Sequence, residues 1–170
     1  MSNPVLIINT GGTYNKKYNE IKGELEVVQN NLYIEEILYS IYKKQNPDII
    51  IKNIINKDSL DIVEEDRIEL LELIQSTEYK NIIIIHGTDT MDKTARYIDI
   101  GMNKNIVFVG SMIPFSINPI EASFNLGMSL GYLNNMTENN ICISMNGEIG
   151  NYKNIKKNKQ LGYFEFNNLN

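Results

Sequence analysis

The chain has 170 residues, 42% hydrophobic and 22% charged, with a net charge of -5 and a pI near 5.0. That is the make-up of one globular domain over 1–170, able to bury about two thirds of its unfolded surface without a staple. The acidic balance argues against a nucleic-acid partner. A single cysteine, Cys142, excludes an internal disulfide, and a single histidine, His86, excludes a His-clustered zinc site.

No apolar run nears the ~20 residues of a membrane helix. No basic segment leads into an apolar signal core before Val5, so a cytoplasmic location is expected.

In chain order, Val5–Asn9 is a short β-branched run and predicts a buried strand. It enters the turn Thr10-Gly-Gly-Thr13. Residues 16–28 are polar, contain Gly23 and predict a loop or hairpin; Tyr14 and Tyr18 there are candidates for a lid. A helix is predicted from Leu32 to Lys44, with Tyr33, Ile34, Ile37, Leu38 and Ile41 on its buried side, Lys43 and Lys44 in its last turn, and Pro47 beyond its end.

Asp48–Ile55 predicts the second strand, followed by a loop over Asn56–Ser59. The second helix runs from Val63 to Ser76, with Asp61 and Glu64 as a capping pair and Ile68, Leu71 and Ile74 facing inward. Asn81–His86 is apolar enough to be buried on both sheet faces. Gly87-Thr-Asp-Thr90 follows, where Asp89 is placed either to cap the third helix or to face a ligand's ammonium group. His86 itself reads as a packed strand-end residue. The third helix carries Met91, Ala95, Ile98 and Met102 on one side.

Ile106–Val109 predicts the fourth strand, then Gly110-Ser-Met-Ile-Pro114. Asn118, Pro119 and Glu121 spell a helix start. Gly127 and Gly131 in that helix are spaced to admit a close neighbour. Ile141–Met145 is the fifth strand, ending at Asn146-Gly-Glu148, with Cys142 in the core. The lysine-rich stretch 153–159 reads as a solvated loop for most of its lysines, with the alternative that one of them, not specified by the sequence, folds inward beside Thr88 and Thr13 and serves as a base.

Alternating strands and helices imply an α/β fold: three layers, a mostly parallel flavodoxin-like sheet, helices on both faces. Ligands of such sheets bind beyond the carboxyl ends of the strands. Small hydroxyls, glycines and carboxylates gather at those ends: Thr10–Thr13, Asp58–Ser59, His86–Thr90, Ser111–Pro114 and Asn146–Glu148. The glycine turn lacks the GxGxxG and GK[ST] patterns of nucleotide binders. It serves either as a tight structural turn or as a frame for a hydroxyl nucleophile.

Together, Thr10-Gly-Gly-Thr13, Asp58-Ser59, His86-Gly-Thr-Asp-Thr-Met91 with Thr94-Ala95, Gly110-Ser-Met-Ile-Pro114, Phe124-Asn-Leu126 and Met145-Asn-Gly-Glu148 resemble the bacterial-type L-asparaginase family, in its N-terminal domain. The resemblance runs over nearly the whole chain. It implies a threonine-nucleophile amidohydrolase that takes a small amino-acid amide, needs no metal or cofactor, and forms a homodimer or larger homo-oligomer. It implies Thr13 as nucleophile, Thr88, Asp89 and Lys157 as its catalytic partners, and Tyr18 as lid tyrosine. Gly12, Asp58, Ser59, Gly87, Ser111 and Met112 are the implied substrate contacts.

Departures from the family pattern are Leu60 for a polar substrate contact, Ile113 for an arginine and Glu121 for an aspartate. The family's second domain is expected to be absent, because the chain stops at Asn170. That leaves an amino-acid-binding or sensing domain with little turnover as the alternative function.

Overall fold

The structure, a computed structural model, describes residues 4–44, 48–101, 103–136 and 139–166. Strand β1 (Val5–Gly11) is buried along its whole length. It leads into a hairpin, β2 (Lys16–Asn19) and β3 (Glu24–Val27), then helix α1 (Leu32–Tyr42). Strand β4 (Ile49–Lys57) and helix α2 (Glu64–Ser76) follow, then β5 (Asn81–Ile85), α3 (Met91–Ile98), β6 (Asn105–Val109), α4 (Pro119–Leu133) and β7 (Ile141–Met145). The chain closes on β8 (Glu148–Asn151), β9 (Ile155–Asn158) and β10 (Tyr163–Phe166).

The main sheet has the order β4-β1-β5-β6-β7-β8. The first five strands are parallel and β8 is antiparallel to β7. Leaving out the hairpins, this is the flavodoxin-like order expected from the sequence. Period-two alternation divides each central strand between two cores. Leu6, Ile8, Ile82, Ile84 and Phe108 pack under α2 and α3; Ile7, Ile83, Ile85 and Val107 pack under α1 and α4. The three layers are therefore helices, sheet, helices. No helix among the described residues is long and apolar enough to cross a membrane.

Several local expectations are corrected. The first helix ends at Tyr42, and Lys43 sits beyond it in the left-handed conformation, so neither lysine occupies the last turn. Ile41 is exposed. Helix α2 is started by Asp66, whose carboxylate accepts from the Val63 N–H at 2.8 Å, and not by Asp61 with Glu64. Its buried face is Leu70 and Ile74, while Ile68 is exposed. Tyr14 is a core residue whose hydroxyl donates to the Ala122 carbonyl at 3.3 Å, so it belongs to no lid. A Cβ at Gly127 or Gly131 would meet nothing within 4 Å, so no neighbour among the described residues exploits those glycines. Residues 155–158 form a strand paired with β10, in place of a solvated loop. Pro47 and Met102 lie outside the described residues.

Strand β1 lies between β4 and β5, and the chain leaves β1 over one face of the sheet and returns to β5 over the other. The connections diverge there, which opens a crevice at the carboxyl ends of β1 and β5.

Candidate active site

Three turns stack at that crevice, and glycine is what lets them. Gly12 has φ +76, and a Cβ there would lie 2.4 Å from both Cα and N of Gly87. A Cβ on Gly87 would in turn lie 2.6 Å from Cβ of Ser59. The turns after β1, β5 and β4 are therefore in backbone contact, a separation no side chain permits. A fourth turn joins them, because a Cβ on Gly110 would sit 2.6 Å from the His86 carbonyl.

Hydrogen bonds fix this stack. Asn9 Oδ1 accepts from the Gly11 N–H at 3.1 Å, and Gly12 N–H donates to the Lys57 carbonyl at 2.8 Å. Ser59 Oγ accepts from the Asp89 N–H at 3.2 Å, while Thr90 Oγ1 donates to the Ser59 carbonyl at 2.7 Å. Glu121 accepts from the N–H groups of Met112 and Ile113, and Asn125 Nδ2 donates to the Gly110 carbonyl. Glu121 thus follows Asn118 and Pro119 at the start of α4 as expected, with its carboxylate spent on the neighbouring loop.

The lysine arrives from outside the parallel sheet. Asn146 and Gly147 both have positive φ, the signature of a tight hairpin turn, and this turn reverses β7 into β8. Asn146 Oδ1 then accepts from the Phe164 N–H at 2.9 Å, and Ile155 and Phe164 are buried, which clamps the β9–β10 hairpin against the sheet. Lys157 projects from that hairpin. Its Nζ donates to Thr88 Oγ1 at 2.8 Å and lies 2.9 Å from Asp89 Oδ1. The Lys157 side chain is 13% exposed and that of Asp89 33%. A desolvated ammonium held between a hydroxyl and a carboxylate is an interaction of the stronger kind. Asp89 therefore does not cap α3; Thr90 occupies that position without a side-chain cap bond.

Thr88, Asp89, Lys157, Ser59, Gly87 and Gly12 are thus brought together. Thr13, half-buried, opens a 3-10 turn directly after Gly12 and so borders the same crevice. Ser111 is fully buried and its Oγ has no partner among the described residues; Met112 is half-buried beside it. Tyr18 is 54% exposed on β2. Asp58 is occupied elsewhere: it caps the turn after β4 through the Leu60 N–H and pairs with Lys16 Nζ at 2.5 Å. Burial alone would raise the Asp58 pKa, but hydrogen bonds from Lys16, Leu60 and Ser59 outweigh it and hold the carboxyl below its ordinary value.

His86 donates from Nδ1 to the Gly87 carbonyl at 2.8 Å and packs edge-on to Phe108, while Nε2 is buried without a partner among the described residues. Burial pushes its pKa down to about 4, so it is neutral and packed, as the sequence reading has it. Two surface depressions, one of about 560 Å³ lined by Tyr79, Asn81 and Asn105, lie at the opposite edge of the sheet, away from this chemistry.

A family description, "Asparaginase, N-terminal", matches residues 4–170. The chain belongs to the asparaginase N-terminal family. It is 24% identical over 168 residues to a glutaminase-asparaginase of Acinetobacter glutaminasificans, covering 91% of this chain and 50% of that protein. It is 25% identical over 151 residues to L-asparaginase 1 of Escherichia coli K12, covering 85% and 44%. The thermostable L-asparaginase from Thermococcus kodakarensis superposes with a TM-score of 0.80 at 24% identity, covering 96% of this chain and 51% of that one. The chain spans about half the length of the curated relatives it matches.

Some positioning residues escape a reading of the sequence. Lys16 and Asn9 hold the turns in place with no sequence signal for that role, whereas Asn125 and Asn146, which do the same, stand in the Phe124-Asn-Leu126 and Met145-Asn-Gly-Glu148 motifs that carry the resemblance.

Proposed function

We propose that this chain is an amidohydrolase of asparaginase type, hydrolysing the side-chain amide of asparagine or a related small amide to the acid and ammonia. The observation that carries this reading is the Lys157 ammonium, held within 3 Å of both Thr88 Oγ1 and Asp89 Oδ1 beside the Gly12–Gly87 contact. Turns that only reversed the chain would have no use for a lysine threaded from a separate hairpin into a nearly buried hydroxyl–carboxylate pair.

In this reading Thr13 Oγ1 attacks the amide carbon. Its proton passes to the Thr88 hydroxyl oxygen as Thr88 gives its own proton to the departing nitrogen, and the Lys157 ammonium, hydrogen-bonded to Thr88, stabilises the negative charge that develops along this relay. Because Thr88 Oγ1 accepts from Lys157, its own hydroxyl proton remains available to donate. Backbone N–H groups of the glycine turn stabilise the oxyanion. Ammonia leaves, and water hydrolyses the Thr13 ester to the free acid and restores the hydroxyl. Asp89 positions Lys157 and offers its second oxygen to the substrate's ammonium group. Ser59, Ser111 and Met112 are assigned to the recognition side, and Gly87 lets the turns after β1 and β4 pack directly against it.

The alternative, a domain that binds an amino acid without turning it over, draws on Leu60 and Ile113, which are exposed apolar residues at the rim. One assay separates the two. Ammonia release from asparagine and glutamine is measured for the wild type and for Thr13→Ala, with binding of the amino acid followed by calorimetry. Release that drops at least about 1,000-fold in Thr13→Ala supports the enzyme. Release that persists refutes Thr13 as nucleophile, and binding without release supports the alternative.

A further inference from the structure

The proposed reaction makes no use of the far end of α3, yet a polar cluster is built there. The helix descends from Met91, beside the candidate site, to Ile98 at the amino edge of the sheet, about 12 Å at 1.5 Å per residue. Asp99 follows it. The Tyr152 side chain is buried, and its hydroxyl donates to Asp99 Oδ2 at 2.7 Å. Lys153 Nζ lies 3.0 Å from the same oxygen. At the head of the helix, Asp89 holds Lys157. The two carboxylates that bracket α3 thus take two lysines of one short segment, and that segment runs antiparallel to the helix, tied to it at both ends.

The segment has little slack. Tyr152 N–H donates to the Ile141 carbonyl at 3.0 Å, which puts Tyr152 at the start of β7 and so at the amino edge. From there to the carboxyl edge β7 rises about 13 Å, at 3.3 Å per step. A turn closed by Asn154 N–H on the Asn151 carbonyl, 2.9 Å, uses up the first residues. Only Ile155, Lys156 and Lys157 remain for the climb, about 10 Å when extended. The backbone falls short of the full height, and the lysine side chain covers the rest. The pair β9–β10 is also hydrogen-bonded to no third strand among the described residues, and a lone hairpin is marginal in water. Its place depends on its anchors. Asn146 fixes β10 from the carboxyl edge through the Phe164 N–H, and Tyr152 fixes the start of β9 from the amino edge.

We propose that Asp99 and Tyr152 are positioning residues for Lys157: the tie at the foot of α3 sets how far the Lys157 ammonium reaches toward Thr88 Oγ1. Without the tie, β9 gains slack and the ammonium divides its time between Thr88 and water. In the proposed reaction this slows turnover and spares binding, because Asp89 keeps its place through its own N–H on Ser59 Oγ. That consequence rests on the proposed function; the positioning does not.

The test uses the full chain with isotopically labelled lysine, folding being checked by circular dichroism. The ammonium resonance of Lys157 is identified by its loss in Lys157→Met. Its proton exchange with water is then compared in the wild type, Tyr152→Phe and Asp99→Asn, and is expected to be more than about tenfold faster in both variants. Asp66→Ala, which removes the cap of α2, controls for lost stability and is expected to leave exchange within about twofold. Ammonia release from asparagine is measured on the same proteins. In Tyr152→Phe and Asp99→Asn kcat is expected to fall about tenfold, with KM within about twofold of the wild type. Where Asp99→Asn fails to fold, Tyr152→Phe, which removes a single oxygen atom, decides alone. Exchange that is unchanged in Tyr152→Phe, or equally accelerated in Asp66→Ala, overturns the proposal. Faster exchange with an unmoved kcat refutes the role given to Lys157 in the reaction and not its positioning. A wild type that releases no ammonia refutes the proposed function, and the exchange measurement still decides the positioning.

Discussion

Replacing Gly12 with alanine tests whether the site depends on backbone contact between two turns. The new Cβ would lie 2.4 Å from Cα and N of Gly87, and ordinary contact begins near 3.4 Å, so the turns after β1 and β5 must part by about 1 Å. Neither side can yield cheaply, because the obstructing atoms are backbone and Gly87 is itself backed by Ser59. Gly12 also sits at φ +76, ψ -175, a region only glycine occupies freely, worth about 1–3 kcal/mol of strain. Overpacking adds about 1–3 kcal/mol. The expected loss is therefore about 4 kcal/mol, a large share of the 5–15 kcal/mol typical of a folded domain. In urea this moves the unfolding midpoint by about 2 M for a slope near 2 kcal/mol/M. Gly127→Ala is the control, since a Cβ there is unobstructed and helix propensity predicts a gain of up to about 1 kcal/mol. If the reaction proposed above is correct, the 1 Å displacement of Thr13 also costs about 100-fold in ammonia release. A Gly12→Ala chain that unfolds within about 0.5 kcal/mol of the wild type would refute the packing argument, whatever its activity.

Two further outcomes follow from the same structure. His86 has a folded pKa near 4, against 6.5 when unfolded, so between these values the unfolded chain holds the extra proton and stability falls as pH drops through that window. The full loss approaches about 3 kcal/mol by pH 4. Urea unfolding at several pH values should show it, and His86→Gln should flatten the profile; a wild-type stability level from about pH 7 to about pH 4.5 would contradict it. Asp58, Asp66 and Asp99 have lowered pKa values and so stay ionised across that window. Asp66→Ala removes both the acceptor for the Val63 N–H and the partner of Lys57, whose Nζ lies 2.8 Å from each carboxylate oxygen. A loss of about 1–2 kcal/mol is expected, seen as a fall of about 4 °C in the thermal midpoint. Asp66→Asn, which keeps an acceptor, should recover part of it.

The parallel sheet was legible because its determinant is local. Runs such as Asn81–Ile85 must be buried on both faces, and a run of that length cannot be a helix spanning the core. The sites at the strand ends were legible for a related reason: once the strands are placed, the fold decides where their successors converge. What stayed hidden depends on contacts distant in sequence. Strand β9 buries Ile155 and little else, so its alternation is lost among lysines and it reads as a loop. Its position is set by partners that sequence patterning does not name: Phe164 beneath it, and the Asn146 oxygen that accepts from the Phe164 N–H. Lys157 therefore had to be placed by family resemblance, since nothing in its own neighbours distinguishes it from Lys156 or Lys159. Asp89 shows the same limit. Helix-start chemistry makes it a natural cap, and only the lysine arriving from 68 residues later claims its carboxylate instead. In both cases a local preference lost to a longer-range partner, and both residues belong to the candidate active site, although the same happens away from it at Tyr14 and at the start of α2. The disagreement between local pattern and structure at Asp89 and Lys157 is thus itself a reason to look for chemistry there, since a turn kept only for its shape has no need to override the preferences of its own residues.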